Sequence, residues 1–295
     1  MKNILIVLFL FIISYIFSQS PDNSNDVMNN YKITATFGDS RGDHFHTGID
    51  LGASEENIKS IIDSELIFFK KERSRSLNYG LGNFVILENS QKKLRINYSH
   101  LKDDSFNSDN IYYNKQDKIA VVGNSGHSTG EHLHLEIEDI ENKKIVNPIN
   151  FLSIKDNLAP RIEDVYFITK ENEKVSLLKS NKIKRGGKIF IKCMDRIDNS
   201  NYFVCPYKII LIIDGKEKVN MVFDYLKKGE NSYTLSNIGY KFEELYLNKE
   251  DFDYFLMDFH SLPDLIGLKI IVEDFAGNKV EFKKPIRVLP PDNNS

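Results

Sequence analysis

The residues best suited to chemistry are histidines, and they cluster. Six of the chain's seven histidines lie in its first half. The densest group is Gly126-His127-Ser128-Thr129-Gly130-Glu131-His132-Leu133-His134-Leu135-Glu136. Two glycines bracket a polar turn, and an apolar/polar alternation follows. Period-two geometry puts His132, His134 and Glu136 on one face of a strand and Leu133 and Leu135 on the other. Two imidazoles about 6.6 Å apart along a strand can serve one metal site. Upstream lie His46 and Asp50, four residues apart, and then His100. Neutral imidazoles plus one carboxylate form a zinc donor set, and spare histidines can move protons. Spacing does not say which of His132 and His134 is the ligand.

His46 and Asp50 constrain the backbone between them. Gly48 and the Ile49-Asp50-Leu51 alternation are not helical in character. On a straight strand, four steps span about 13 Å, too far for two ligands of one ion. The chain must therefore bend between them, and Gly48 is expected to permit the bend.

The elements that would hold these residues read as strands. Alternation marks 31–37 and 94–101, strand patterns fall at 66–69, 82–87 and 119–122, and 145–152 closes the segment. Strand 94–101 is the expected hairpin partner of 82–87, with His100 at its end. Helical periodicity is almost absent, so residues 31–152 read as one antiparallel β unit. A linker at 153–160 ends in Ala159-Pro160. Beyond it, strand patterns recur at 165–169, 188–194, 208–213, 218–223, 232–235, 268–272 and 279–282. Turn signals at Arg185-Gly186-Gly187, Asp214-Gly215 and Ala276-Gly277-Asn278 separate them. That spacing suggests a β-sandwich over 161–290, with an immunoglobulin-like strand pair near Val272–Asn278 and a tail at 291–295. Residues 240–262 fit no element, and the lone His260 reads as structural.

Composition bounds the partners. The formal net charge is −3, and removing residues 1–20 takes away one lysine, Lys2, and no acid. That weak balance argues against nucleic acid as a partner. Ile4 to Phe17 is almost entirely apolar, short for a membrane span, and fits a secretory signal with small residues Ser18 and Ser20 near a cut. The other reading of 1–20 is an uncleaved anchor. Either places the protein in the periplasm or cell envelope, beyond a polar spacer at 21–30. Cys193 and Cys205 are the only cysteines. Export allows a disulfide between them, and two free buried thiols are the alternative.

Taken together, these stretches resemble the lysostaphin-type (LytM-like) zinc endopeptidases that cut peptidoglycan cross-links. The resemblance rests on His46-Thr-Gly-Ile-Asp50, Gly82-Asn83-Phe84-Val85-Ile86, Tyr98-Ser-His100-Leu, Gly123-Asn-Ser-Gly126, Ser128-Thr-Gly130-Glu-His132-Leu-His134-Leu-Glu136-Ile and Asn147-Pro148, in order over roughly 31–152. It implies an all-β fold, a LytM-like peptidase domain followed by the sandwich. It implies one zinc ion held by His46, Asp50 and His134, with His132 and His100 as catalytic histidines. His132 would act as the base and His100 as a donor to the oxyanion. The implied partner is the peptidoglycan stem peptide, met by groove walls at 71–81 and 102–115 with Arg73, Arg75, Tyr79, Tyr112 and Tyr113. A regulatory protein or wall contact would fall to the C-terminal domain. Three positions depart from the family pattern: Glu65 and Gln116 stand where Gly is common, and Glu131 where Pro is common. None removes a ligand. The rival expectation is a non-catalytic wall-binding or activator protein that keeps the metal site. The cross-link stays open between D-Ala–diamino acid and oligoglycine bonds.

Overall fold

The computed structural model describes residues 31–53, 56–71, 80–230, 232–235, 238–247, 252–259 and 263–290. The expected signal, spacer and tail, His260, and Arg73, Arg75 and Tyr79 of the groove wall lie outside the described residues. No described helix is long and apolar enough to cross a membrane.

Ten strands build the first unit: β1 (Lys32–Ala35), β2 (Ile49–Gly52), β3 (Asn57–Lys59), β4 (Ser64–Lys70), β5 (Phe84–Asn89), β6 (Leu94–Ser99), β7 (Tyr112–Tyr113), β8 (Lys118–Val121), β9 (His132–Asp139) and β10 (Lys144–Val146). Pairing is antiparallel throughout, and β5 and β6 form the expected hairpin. The long strand β9 is central. One edge of it pairs with β6 and the other with β2 and then β10. Its apolar set, Leu133, Leu135 and Ile137, has essentially no solvent exposure. Those residues pack with Ile49, Leu51, Val85, Leu87, Ile96 and Tyr98. The opposite set is the one that carries the histidines.

The second unit adds β11 (Arg161–Thr169), β12 (Lys174–Ser176), β13 (Lys182–Lys184), β14 (Gly187–Met194), β15 (Lys208–Ile213), β16 (Lys216–Val222), β17 (Tyr225–Lys228), β18 (Tyr233–Leu235), β19 (Asp253–Asp258), β20 (Leu265–Glu273) and β21 (Lys279–Leu289). A four-stranded sheet, β12-β11-β14-β19, faces a five-stranded one, β13-β21-β20-β15-β16. Val165, Phe167, Ile189 and Ile191 from the first share a core with Ile209, Leu211, Leu268 and Ile270 from the second. Among the described residues, only β13 and β21 pair in parallel. Asp214 and Gly215 both take positive φ, the geometry of the tight turn expected from that dipeptide. Cys193 and Cys205 are buried free thiols. Strands β12, β13, β17 and β19 are too short or too irregular in pattern to stand out in sequence. One-turn helix α1 (Phe242–Leu245) and β19 occupy part of the unassigned stretch 240–262.

The two units are joined more closely than a linker implies. β17, from the second half of the chain, pairs with β10, and β18 extends the same sheet. Phe37 and Phe45 of the first unit belong to the second unit's core, and Phe45 meets the rings of Phe242 and Tyr246. Conversely, Ile197 and Val204 sit in the first unit's core. Full burial of a Phe stabilises by about 1.5–3 kcal/mol, so cutting between the units exposes several such contributions. A chain ending at residue 158 is therefore expected to melt at a much lower temperature than the full chain, or to aggregate. Thermal denaturation and size-exclusion chromatography of both forms would check this, and an equally stable monomeric fragment would contradict it.

Candidate metal centre

Strand register makes the first contact of the site. Asp50 of β2 lies directly opposite His134 of β9. Side chains so placed on one sheet face have Cβ atoms about 4.5–5.5 Å apart. The Asp50 Oδ1 to His134 Nδ1 distance is 2.9 Å. His46 arrives from the turn before β2. Its Nε2 is 3.1 Å from Asp50 Oδ1 and 3.0 Å from His134 Nδ1. The chain does bend between His46 and Asp50, and Gly48 lies in the bend. Gly48 takes no left-handed φ. Instead, a Cβ there would lie 2.4 Å from the Leu135 carbonyl oxygen and 2.7 Å from His134 Cε1. Glycine is needed for close approach of the turn to β9.

The three-atom triangle asks for a cation. His46 Nδ1 donates to the Thr36 carbonyl at 2.7 Å, so a neutral His46 has only a lone pair on Nε2. Burial lowers its pKa to about 4, which keeps it neutral. Nε2 therefore faces Asp50 Oδ1 with no hydrogen between them. A proton on His134 Nδ1 could serve one of its two contacts well, leaving another edge of the triangle lone pair to lone pair. Zinc bonds of 2.0–2.1 Å in tetrahedral geometry separate ligand atoms by about 3.3 Å, close to what is found. The residues present fit a zinc ion, with His46 Nε2, Asp50 Oδ1 and His134 Nδ1 as its ligands.

The surroundings fix those ligands. Arg41 pairs with Asp50 Oδ2, leaving Oδ1 to the centre. Burial raises the Asp50 pKa, but the His134 and His46 rings beside the carboxylate outweigh it and hold the carboxyl far below the usual range. Asp39 organises the His46 turn. Its Oδ2 accepts from the Thr36 amide at 2.7 Å, and its carbonyl accepts from the His46 amide at 2.8 Å. Its Oδ1 accepts from the Cys205 amide at 2.6 Å, which brings the second unit into the scaffold. Burial, partly offset by these amides, raises the Asp39 pKa to about 6. Tyr246 donates to the Gly38 carbonyl at 2.8 Å in the same turn. Sequence reasoning missed Arg41 and Asp39. Both sit in what reads as an ordinary charged turn, and no local pattern ties either to His46.

His132 and His100 flank the triangle. His132 Nδ1 donates to the Gly130 carbonyl at 2.8 Å, and its Nε2 is 3.8 Å from Asp50 Oδ1. His100 Nδ1 donates to the Ser125 carbonyl at 2.8 Å. Its ring centroid is 4.7 Å from that of His132 and 6.1 Å from that of His134. His100 holds φ of 62°, a left-handed backbone that turns it off the end of β6. Carbonyl partners on both Nδ1 atoms leave lone pairs on both Nε2 atoms. Burial lowers the His100 pKa to about 4. A neutral His100 thus presents an acceptor at Nε2.

Other nearby side chains fall elsewhere. His44 is exposed against Asp43, and the exposed His127 donates its amide to the Gly80 carbonyl. Tyr112 is exposed, but Tyr113 is buried in the core with its hydroxyl on the Asn107 carbonyl, so it cannot line a groove. Gln116 takes φ of 81°, which explains why glycine would suit that turn. Glu136 accepts from the Thr47 hydroxyl beside the site.

Residues 44–148 match the family model of peptidase family M23. That match lies within the first β unit and spans all three residues of the triangle. A separate family model covers residues 159–289. Comparison with curated proteins returns no match. Among solved structures, the chain is similar to the catalytic domain of the prophage-encoded M23 protein EnpA from Enterococcus faecalis, at 24% identity over 37% of this chain and 82% of that one, with a TM-score of 0.33. It is also similar to the catalytic domain of the antimicrobial peptidase lysostaphin from Staphylococcus simulans, at 24% identity over 42% and 93%, with a TM-score of 0.35. A third is a zinc-containing peptidase from Vibrio cholerae, at 25% identity over 43% of this chain and 38% of that one, with a TM-score of 0.35.

Two substitutions test the M23 centre. Gly48→Ala should lose bound zinc, because the added Cβ displaces His134 or the turn. Arg41→Ala should keep the fold but bind zinc about 10–100-fold more weakly, the usual cost of losing a group that holds a ligand. Elemental analysis and competition with a chromogenic chelator would measure both. Wild-type zinc affinity in either variant would contradict the geometry.

Proposed function

We propose that the protein is an exported zinc endopeptidase that hydrolyses peptide cross-links of bacterial peptidoglycan. The observation that carries the reading is the M23 triangle of His46, Asp50 and His134 at 2.9–3.1 Å, with a further histidine Nε2 3.8 Å from its carboxylate. A structural zinc site would close with a fourth protein ligand, whereas a catalytic one keeps three and a free position. Among the described residues, the metal-ligating group contains these three alone. The apolar run at 4–17 supports export to the periplasm or cell envelope. The family, together with relatives whose names include lysostaphin, supports the cell-wall substrate.

Zinc bound there would polarise the scissile carbonyl and make a water acidic enough to attack at neutral pH. The chain's own residues do the rest. His132 is held by Gly130 in the tautomer that accepts a proton at Nε2. It takes the proton of the attacking water and returns it to the leaving amine. His100, in the same tautomer, accepts a hydrogen bond from the attacking water or the substrate amide. Only after gaining a proton can His100 donate to the developing oxyanion, where a charged donor is most effective. Arg41 pairs with one oxygen of Asp50 and so leaves the other to face the centre.

His132→Ala should retain zinc and the melting temperature while losing about 10²–10⁴ in hydrolysis of isolated sacculi, followed by mass analysis of released muropeptides. Removal of zinc with a chelator should abolish release, and added zinc should restore it. Equal fragment release by wild type and His132→Ala, or release by neither, would instead favour a wall-binding or activator protein that keeps its metal.

A further inference from the structure

A second cluster of acids lies away from the M23 centre, where the two units join. Asp156 is in the segment connecting them, Asp195 follows β14, and Asp274 follows β20. All three are more than nine-tenths buried, and oxygens from each lie within 4.8 Å of one another. Part of their bonding capacity is used. Asp156 Oδ1 accepts from the amides of Leu158 and Asp198, both at 3.1 Å. Asp274 accepts from the Asn278 amide at 2.9 Å and side chain at 2.8 Å. The remainder is not. Asp156 Oδ2 and Asp195 Oδ1 are buried without any hydrogen-bond partner. Among the described residues, no Lys or Arg forms an ion pair with the three.

Buried, unpaired carboxylates are costly, and their mutual repulsion adds to the cost. Burial, opposed by the Arg196 amide and reinforced by the charges of Asp156 and Asp274, raises the Asp195 pKa to about 7. Three carboxylates converging within 4.8 Å, two of them with an unpartnered oxygen, form a donor set for a hard divalent cation. Oxygens sharing a calcium ion at about 2.3–2.6 Å can stand as far apart as these do. The all-oxygen set disfavours zinc, which prefers nitrogen and sulfur.

We propose that Asp156, Asp195 and Asp274 bind one calcium ion that clamps the C-terminal sandwich to the peptidase unit. The position gives it consequences. Residues 195–205 form the loop that docks on the first unit, through Ile197 and Val204 in its core and the Ser200 hydroxyl on the Ile33 carbonyl at 2.6 Å. The same loop ends at Cys205, whose amide holds Asp39. Asn278 ties the Asp274 turn to the Asp156 carbonyl at 3.1 Å. A cation here neutralises the like charges at the point where three hydrogen-bonded segments meet.

The test is calorimetric titration of CaCl2 into the full, zinc-loaded chain, with thermal melts in the presence and absence of calcium. We expect one calcium per chain. We also expect the melting temperature to rise by about 5–10 °C at calcium near 100 times its Kd. Asp195→Asn should lose both responses, while Asp50→Asn should keep calcium binding. Asp156→Asn gives the same readout if Asp195→Asn does not fold. No calcium binding by the wild-type chain would overturn the proposal, as would calcium binding and a thermal shift that persist in Asp195→Asn or Asp156→Asn.

Discussion

One register decides the geometry of this molecule. β2 lies antiparallel to β9 so that Asp50 faces His134. A slip of one residue would send Asp50 and His134 to opposite faces of the sheet and bury the wrong half of each strand. The slip is prevented by the other face. Leu133, Leu135, Ile49 and Leu51 are all buried there. Each contributes about 1.5–3 kcal/mol when fully buried, so apolar packing fixes a polar site that it never touches. The metal centre is a consequence of the core.

The third ligand needs a different device, because His46 lies outside the strand. Its turn is held from below by Asp39, from the side by the Thr36 carbonyl, and from the second unit by Tyr246 and the Cys205 amide. The sandwich thus takes part in placing a ligand, in addition to any role in binding a partner. Gly38 shows how tightly the units meet: it takes φ of 90°, and a Cβ there would lie 2.3 Å from the Phe223 ring. This is the physical reason that a division of the chain near residue 158 describes sequence composition better than it describes mechanics.

What could be read in advance was what short-range pattern carries. Alternation along 132–137 places the histidine face of β9, and the β5–β6 hairpin follows from two adjacent alternating runs. The resemblance supplies the ligand set that spacing leaves open between His132 and His134. What could not be read depends on contacts distant in sequence. Arg41 acts through a carboxylate nine residues away, and Asp39 through an amide 166 residues away. β17 has only four residues, and its place on the first sheet depends on an edge offered by β10. Tyr113 looks like a surface aromatic until the strand pairing of β7 with β4 turns it inward.

The tautomers of the two flanking histidines bear on how the site can divide its labour. Each gives its Nδ1 hydrogen to a backbone carbonyl, Gly130 for His132 and Ser125 for His100. Backbone carbonyls accept and never donate, so neither ring can change tautomer without losing its anchor. Both residues therefore begin the cycle as acceptors at Nε2, and each becomes a donor only by holding a proton. Burial pushes the His100 pKa down to about 4, so it gives up such a proton readily. His132 is the more exposed of the two. Both rings are tied alike, so what separates them is burial, and the proposed division into a base and an aligning group rests on the more open position of His132 and the deeper one of His100.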